Sequence, residues 1–400
     1  MTKERFDTLF EGLTEQSAME LLVQDPSEMG NPGLKYMAAS RLAASDSRES
    51  LDLLISVCEK DSDDLFERIT RRKAIDALGR RKNAKAIAVL LNALTSTDEP
   101  TVVNAASAIA RIDVPLGVEE RGLLLKALLG PDNQKRAVIQ AHTRLKIKDT
   151  QNAIKDFEKD ENPLVAGAAC AYGVRIEGRT ELLKPLIAQL NDDNAGRRRS
   201  AVIDLGDAGS PDCLDALARA PVSMPLRAKS AFEIVELAEL DQTPGSFDSL
   251  LEQLLEDNPT LLDLSKECEC SEDPGELEQN FQHRDEAKQY GAARTLMQMQ
   301  PSSALEIIDD LKNRLGSDYG IHYLLTSCVG LMKLEERSDI IRSSLAQTDP
   351  QYTKSRIAAV WGCLNLELRD QVPHIEALAG SAGWVPLKWS CRRVLKVLSQ

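Results

Sequence analysis

Three polar residues of this chain, Gln140, His142 and Asp204, stand where its internal pattern mostly places alanine or glycine. The chain contains a run of similar segments, each with a small anchor residue. Three positions beyond the anchor the segments read Ala77, Ala108, Gln140, Ala171, Asp204 and Ile234. Five positions beyond it they read Gly79, Ala110, His142, Gly173, Gly206 and Glu236. Tyr172 adds a phenol in a slot otherwise filled by Leu78, Ile109, Ala141, Leu205 and Val235. Small side chains suit close helix packing, and an ionisable group there is costly unless it is paired. Arg136, Arg175 and the run Arg197–Arg198–Arg199 lie in the same or adjacent segments. Together these residues supply an acid, a base and guanidinium groups. We expect a polar pocket on the inner face of the segments, able to bind an anion and move a proton on it. Each residue alone also has a structural reading. His142 fits a hydrogen-bonded core histidine, Asp204 a rung of an arginine–aspartate ladder, and the triple arginine a solvent-facing helix start.

The segments themselves set the architecture. The anchors are Ala38, Ala74, Ala105, Ala137, Ala168, Ala201 and Ala231, and the phase resumes at Ala293, Thr326, Ala358 and Cys391. Most steps lie between 30 and 33 residues. That period marks stacked helical pairs, each leaning on its neighbours to bury an apolar stripe. The expected fold is all-α, an α-solenoid of about ten HEAT-like helical pairs. Loops such as TDEPTVVNAA, DENPLVAG and NDDNAGRRRSA place Asp or Asn before a helix, where the side chain caps free backbone N–H groups. A basic residue after the cap can ladder to the acid of a neighbouring pair.

Four stretches follow from this pattern. Residues 1–33 read as an N-terminal helical cap and 34–240 as HEAT-like repeats carrying the pocket. Residues 241–290 read as an acidic irregular segment, and 291–400 as C-terminal repeats rich in aromatics. All three tryptophans (Trp361, Trp384, Trp389) fall in the last stretch, where bulky side chains would close the end of the core.

Net charge is −14, which argues against a nucleic-acid binder. Between Asp241 and Lys288 there are fourteen Asp and Glu against three Lys and Arg, so most of the excess charge is concentrated there. No apolar run approaches the eighteen or so residues of a membrane span, and the start MTKERFDTLFEG lacks the core of a signal peptide. A cytoplasmic location is expected. Eight scattered cysteines fit a reducing compartment. Cys268 and Cys270 have no second pair or histidine cluster nearby, so no metal centre is expected. Nucleotide-binding loops, nucleophile elbows and zinc-protease motifs are all missing.

The alanine-rich units of R-x-A-x-x-x-L-G character resemble the HEAT-type repeats of the E/F clan of phycobilin lyases, which serve cyanobacterial phycobilisomes. The stretch from Leu182 to Phe232, LLKPLIAQLNDDNAGRRRSAVIDLGDAG followed by PVSMPLRAKSAF, carries the sharpest resemblance. It is most similar to single-chain members acting on the α subunit of phycoerythrin. The resemblance implies an enzyme that joins an open-chain tetrapyrrole, phycoerythrobilin, through a thioether to a cysteine of the apo-subunit. Some such relatives also isomerise the attached pigment to phycourobilin. The bilin is a substrate, and no separate cofactor is implied. On this reading Asp204, His142 and Tyr172 are the catalytic candidates. Asp204 would hydrogen-bond pyrrole N–H groups and favour a protonated, electrophilic bilin. His142 would move the proton of a double-bond shift. Tyr172 would stack on a pyrrole or donate its hydroxyl. Gln140, Arg136, Arg175, Arg198, Arg227 and Asp207 are the bilin-binding candidates, the arginines clamping the two propionates. The alternative is a non-catalytic HEAT-repeat scaffold or a bilin carrier for phycobilisome assembly.

Overall fold

The computed structural model describes residues 12–148, 150–238 and 245–399, and among them every regular element is a helix. The expected α-solenoid is observed. The chain divides into two compact units, Lys3–Leu182 and Leu183–Gln400, so the break falls inside the run of repeats rather than near residue 240. None of the described helices is long and apolar enough to cross a membrane.

In the first unit the helices Gly33–Arg41, Leu65–Arg81, Glu99–Ile112, Asp132–Arg144 and Pro163–Glu177 stack in sequence. Shorter helices such as Arg48–Glu59 and Ile87–Ala93 pack behind them. In the second unit Glu286–Gln298, Tyr319–Leu331, Thr353–Asn365 and Val385–Leu398 form the corresponding stack, and Ala195–Ala208 packs on Met224–Ala238. Each anchor from Ala38 to Cys391 is buried, so the register read from small residues is the packing register. Where two such helices meet, backbone approaches backbone. A methyl group at Gly79 would lie 2.7 Å from the Ala108 Cα, and one at Gly330 would lie 2.8 Å from the Gly362 Cα.

The loops cap as their composition implies. Asp98 accepts from the Thr101 amide, Asn162 from Leu164, Asn194 from Arg197 and Asp285 from Ala287. Asp98 is also a ladder rung, taking the Arg72 Nε–H at 2.8 Å from the preceding repeat. One side chain thus closes a helix end and ties two repeats together.

Among its described residues, the stretch expected to be irregular keeps a long loop from Asp257 to Asp273 but also holds helices Asp248–Glu256 and Pro274–Phe281, which bury Leu251, Leu254, Leu255, Leu277 and Phe281. The first of these packs against Thr353–Asn365 and Val385–Leu398, more than a hundred residues later. Arg393 reaches back to Asp248 and Glu252, and Phe232 meets the edge of Trp389 with centroids 6.1 Å apart. The second unit therefore closes on itself. Its aromatics serve that closure, as Trp361 and Tyr323 are buried.

The Arg72 hydrogen bonds, with those of Thr101, hold the Asp98 carboxyl down at about 2. A depressed folded-state value adds stability above the ordinary carboxylate range, and this is lost as pH falls through the folded value. Asp98→Asn keeps a capping oxygen and removes the charge. Its melting temperature is expected to lie below that of the wild type at neutral pH, with the gap closing below about pH 4. Thermal melts of both proteins over that pH range check this.

Candidate functional site

The nine candidate residues fall in both units, and each unit presents them differently. In the first, Arg136 and Gln140 stand one helical turn apart on Asp132–Arg144 and are half-buried, as is Arg175 on Pro163–Glu177. Residues four apart share a helix face, so Arg136 and Gln140 form one polar strip. The Arg136 guanidinium also donates to the Leu164 carbonyl of the following helix.

His142 and Tyr172 are placed otherwise. Neither has appreciable exposed surface (0% and 1%). The Nδ1 of His142 lies 2.8 Å from the Val138 carbonyl one turn back, so Nδ1 carries a proton and donates it there. The Tyr172 hydroxyl donates to the Ile147 carbonyl at 2.6 Å, and the Ile147 amide donates to the His142 carbonyl at 3.0 Å. The Tyr172 hydroxyl thus ties down the turn that follows helix Asp132–Arg144, while the His142 ring is enclosed in the packing of its own helix.

In the second unit Asp204 and Asp207 lie on helix Ala195–Ala208, three residues apart on one face, Asp204 fully buried and Asp207 half-buried. Arg227 is a correction. It has no exposed surface, and its donors go to the Val222 carbonyl at 2.7 Å, the Ala218 carbonyl at 2.6 Å and the Asp257 carboxylate. Asp257 in turn accepts from the Tyr290 hydroxyl at 2.7 Å and from the Tyr323 hydroxyl. Burial and the adjacent carboxylate push both phenols well above their usual range. Arg227 is therefore the cation of a closed structural network, not a propionate clamp.

Arg198 occupies the wall of a cleft of about 370 Å³ that lies wholly within the second unit. The cleft is formed by the loop Asn191–Asp193, the start of helix Ala195–Ala208, Pro221, the loop from Asp263 to Cys268, and the start of helix Glu286–Gln298. Arg198 donates to the carbonyls of Asp192 (2.7 Å) and Asp193 (3.2 Å) and pairs with Asp285. Beside it Arg199 forks onto Glu286. The loop bearing Cys268 lies directly on the next helix. A Cβ at Gly291 would fall 1.8 Å from the Cys268 carbonyl, and the Arg294 Nε–H donates to the Pro259 carbonyl at 3.1 Å. Sequence reasoning found Arg198 but missed the cleft, because its other wall comes from the acidic stretch read as irregular. The dense run of acids between Asp257 and Asp273, bounded by two prolines, was the available signal.

No family model matches the chain. It is 26% identical over 388 residues to an uncharacterised phycocyanin operon protein Y of Pseudanabaena tenuis, covering 95% of this chain and 91% of that one. It is 28% identical over 167 residues to the bilin biosynthesis protein PecE of Mastigocladus laminosus, a match to 42% of this chain that spans only 61% of PecE. In structure it is similar to the complex of CpcE and CpcF of phycocyanin lyase from a Nostoc species, with a TM-score of 0.52 and 22% identity over 60% of this chain and 94% of that one. This last similarity speaks to the fold.

Two substitutions test these structural roles. Asp257→Ala leaves Arg227 buried and unpaired and is expected to cost about 3–5 kcal/mol in urea unfolding. Tyr172→Phe removes one buried hydrogen bond and is expected to cost about 1 kcal/mol in the same measurement.

Proposed function

We propose that the chain is an E/F-type phycobilin lyase, which attaches an open-chain tetrapyrrole through a thioether to a cysteine of a phycobiliprotein subunit. The observation that carries this reading is the similarity to a phycocyanin operon protein along 95% of the chain, joined to a helical-repeat fold similar to the CpcE–CpcF complex. The finer assignment is phycoerythrobilin as pigment and the α subunit of phycoerythrin as acceptor. It rests on the stretch Leu182–Phe232. Isomerisation to phycourobilin extends the same proposal, as does a cytoplasmic location.

The chemistry balances without a cofactor. The acceptor thiol sulfur bonds to the ethylidene carbon on ring A, and the π pair of that double bond takes a proton at the adjacent carbon. The thiol gives up one proton in the process, so nothing is oxidised or reduced. Negative charge develops on the tetrapyrrole unless it is already protonated. A buried carboxylate facing pyrrole N–H groups favours the protonated pigment, and Asp204, with Asp207 on the same helix face, is assigned that task. The reactive cysteine belongs to the acceptor. Five of this chain's thiols, Cys58, Cys213, Cys328, Cys363 and Cys391, are buried and pushed up to about 12, which makes them poor nucleophiles.

The test is co-expression with pigment-synthesis enzymes and candidate apo-subunits, followed by a denaturing gel with zinc fluorescence and absorption spectra. A fluorescent α subunit is expected, and its absorption maximum reports whether the product is phycoerythrobilin or phycourobilin. Asp204→Asn is expected to lower adduct yield on the order of tenfold to a hundredfold with unchanged circular dichroism. Pigment bound but never attached would make the protein a carrier. No pigment binding at all would make it a scaffold.

A further inference from the structure

We propose that the cleft around Arg198 is a docking site for a basic peptide segment of the protein substrate. The proposal deepens the lyase reading and rests on it for the identity of the partner.

Two independent features of the cleft point to the same occupant. The first is charge. Five carboxylates line it, and only Arg198 and Lys288 oppose them. Asp192, Asp263 and Asp285 are already paired with arginines of this chain. Asp193 and Glu267 are exposed and make no ion pair among the described residues. The exposed acids Glu269, Glu272 and Asp273 extend the same field beyond the rim. Carboxylates at the mouth of a concave site attract and orient cationic groups.

The second feature is a hydrogen-bond donor with nothing to bond. The side chain of Arg198 is only 4% exposed, and its Nε is buried without an acceptor. Its two terminal nitrogens are committed to Asp192, Asp193 and Asp285. A buried donor left unpaired is costly, and this one belongs to a residue that forms the cleft wall. A peptide satisfies both demands at once. A main-chain carbonyl can accept from Arg198, while a lysine or arginine side chain of the same segment meets Asp193 and Glu267. A simple cation would meet the acids but leave Arg198 unsatisfied. An anion would meet Arg198 and be repelled by the acids.

The experiment uses full-length protein and two fluorescein-labelled hexapeptides, one alternating arginine with glycine and the other glutamate with glycine. Fluorescence polarisation at low salt is expected to give saturable binding of the arginine peptide alone. The double variant Asp193→Lys, Glu267→Lys should weaken it about tenfold. A control that reverses two exposed acids elsewhere, Glu335→Lys with Glu336→Lys, should leave it unchanged. Equal weakening by both variants, or no binding to the wild type, overturns the proposal. Displacement of the peptide by millimolar calcium, with direct calcium binding by calorimetry, would also overturn it in favour of a cation site. In the co-expression assay the cleft variant should raise the apo-subunit concentration needed for half-maximal attachment without changing the limiting rate. Peptide binding at the cleft in a protein that attaches no pigment would refute the lyase reading and leave the docking site standing.

Discussion

Backbone meets backbone between neighbouring helices of this protein, and that constraint governs where any polar atom can be placed. At Gly79 against Ala108 and at Gly330 against Gly362 there is no room for one additional carbon. Stacks packed this closely gain their stability from contacts between adjacent repeats. They tolerate a charged or hydroxylated side chain only where its partners are built in. The chain meets that requirement in two ways. At helix starts, capping acids double as ladder rungs, as Asp98 does for Arg72. Deeper in the second unit, Asp257 gathers Arg227, Tyr290 and Tyr323 into one closed network.

The Asp257 network also explains why the second unit departs from a simple stack. A carboxylate that accepts from a guanidinium and two phenols draws together helices Met224–Ala238, Glu286–Gln298 and Tyr319–Leu331. Helix Asp248–Glu256, which delivers Asp257, is thereby set against the last two helices of the chain. The acidic stretch packs in this unit against the helices Glu286–Gln298, Thr353–Asn365 and Val385–Leu398. One consequence is the cleft around Arg198, whose far wall is the loop running from Asp257 to Cys268 across the next helix.

Reading the sequence for slots that break the small-residue rule identified real exceptions but did not tell their causes apart. Tyr172 departs from its slot because its hydroxyl anchors the turn at Ile147. Arg227, outside those slots, is buried because a carboxylate thirty residues later pairs with it. Such partners are distant in sequence, so nothing at the residue itself announces them. Arg198 stands in the wall of a cleft that depends on residues 263–288, which composition alone made look unstructured.

The sequence by itself determined the fold class, the repeat register and many of the helix starts, since each is written in local signals: a small residue every thirty or so positions along most of the chain, and Asp or Asn before many of the helices. Only the tertiary structure decided which ionisable side chains face inward to one another and which face an open cleft. The reason is physical. A repeat's own contacts are with its neighbours in the chain, whereas the network at Asp257 and the wall at Cys268 join segments whose separation no local pattern can encode.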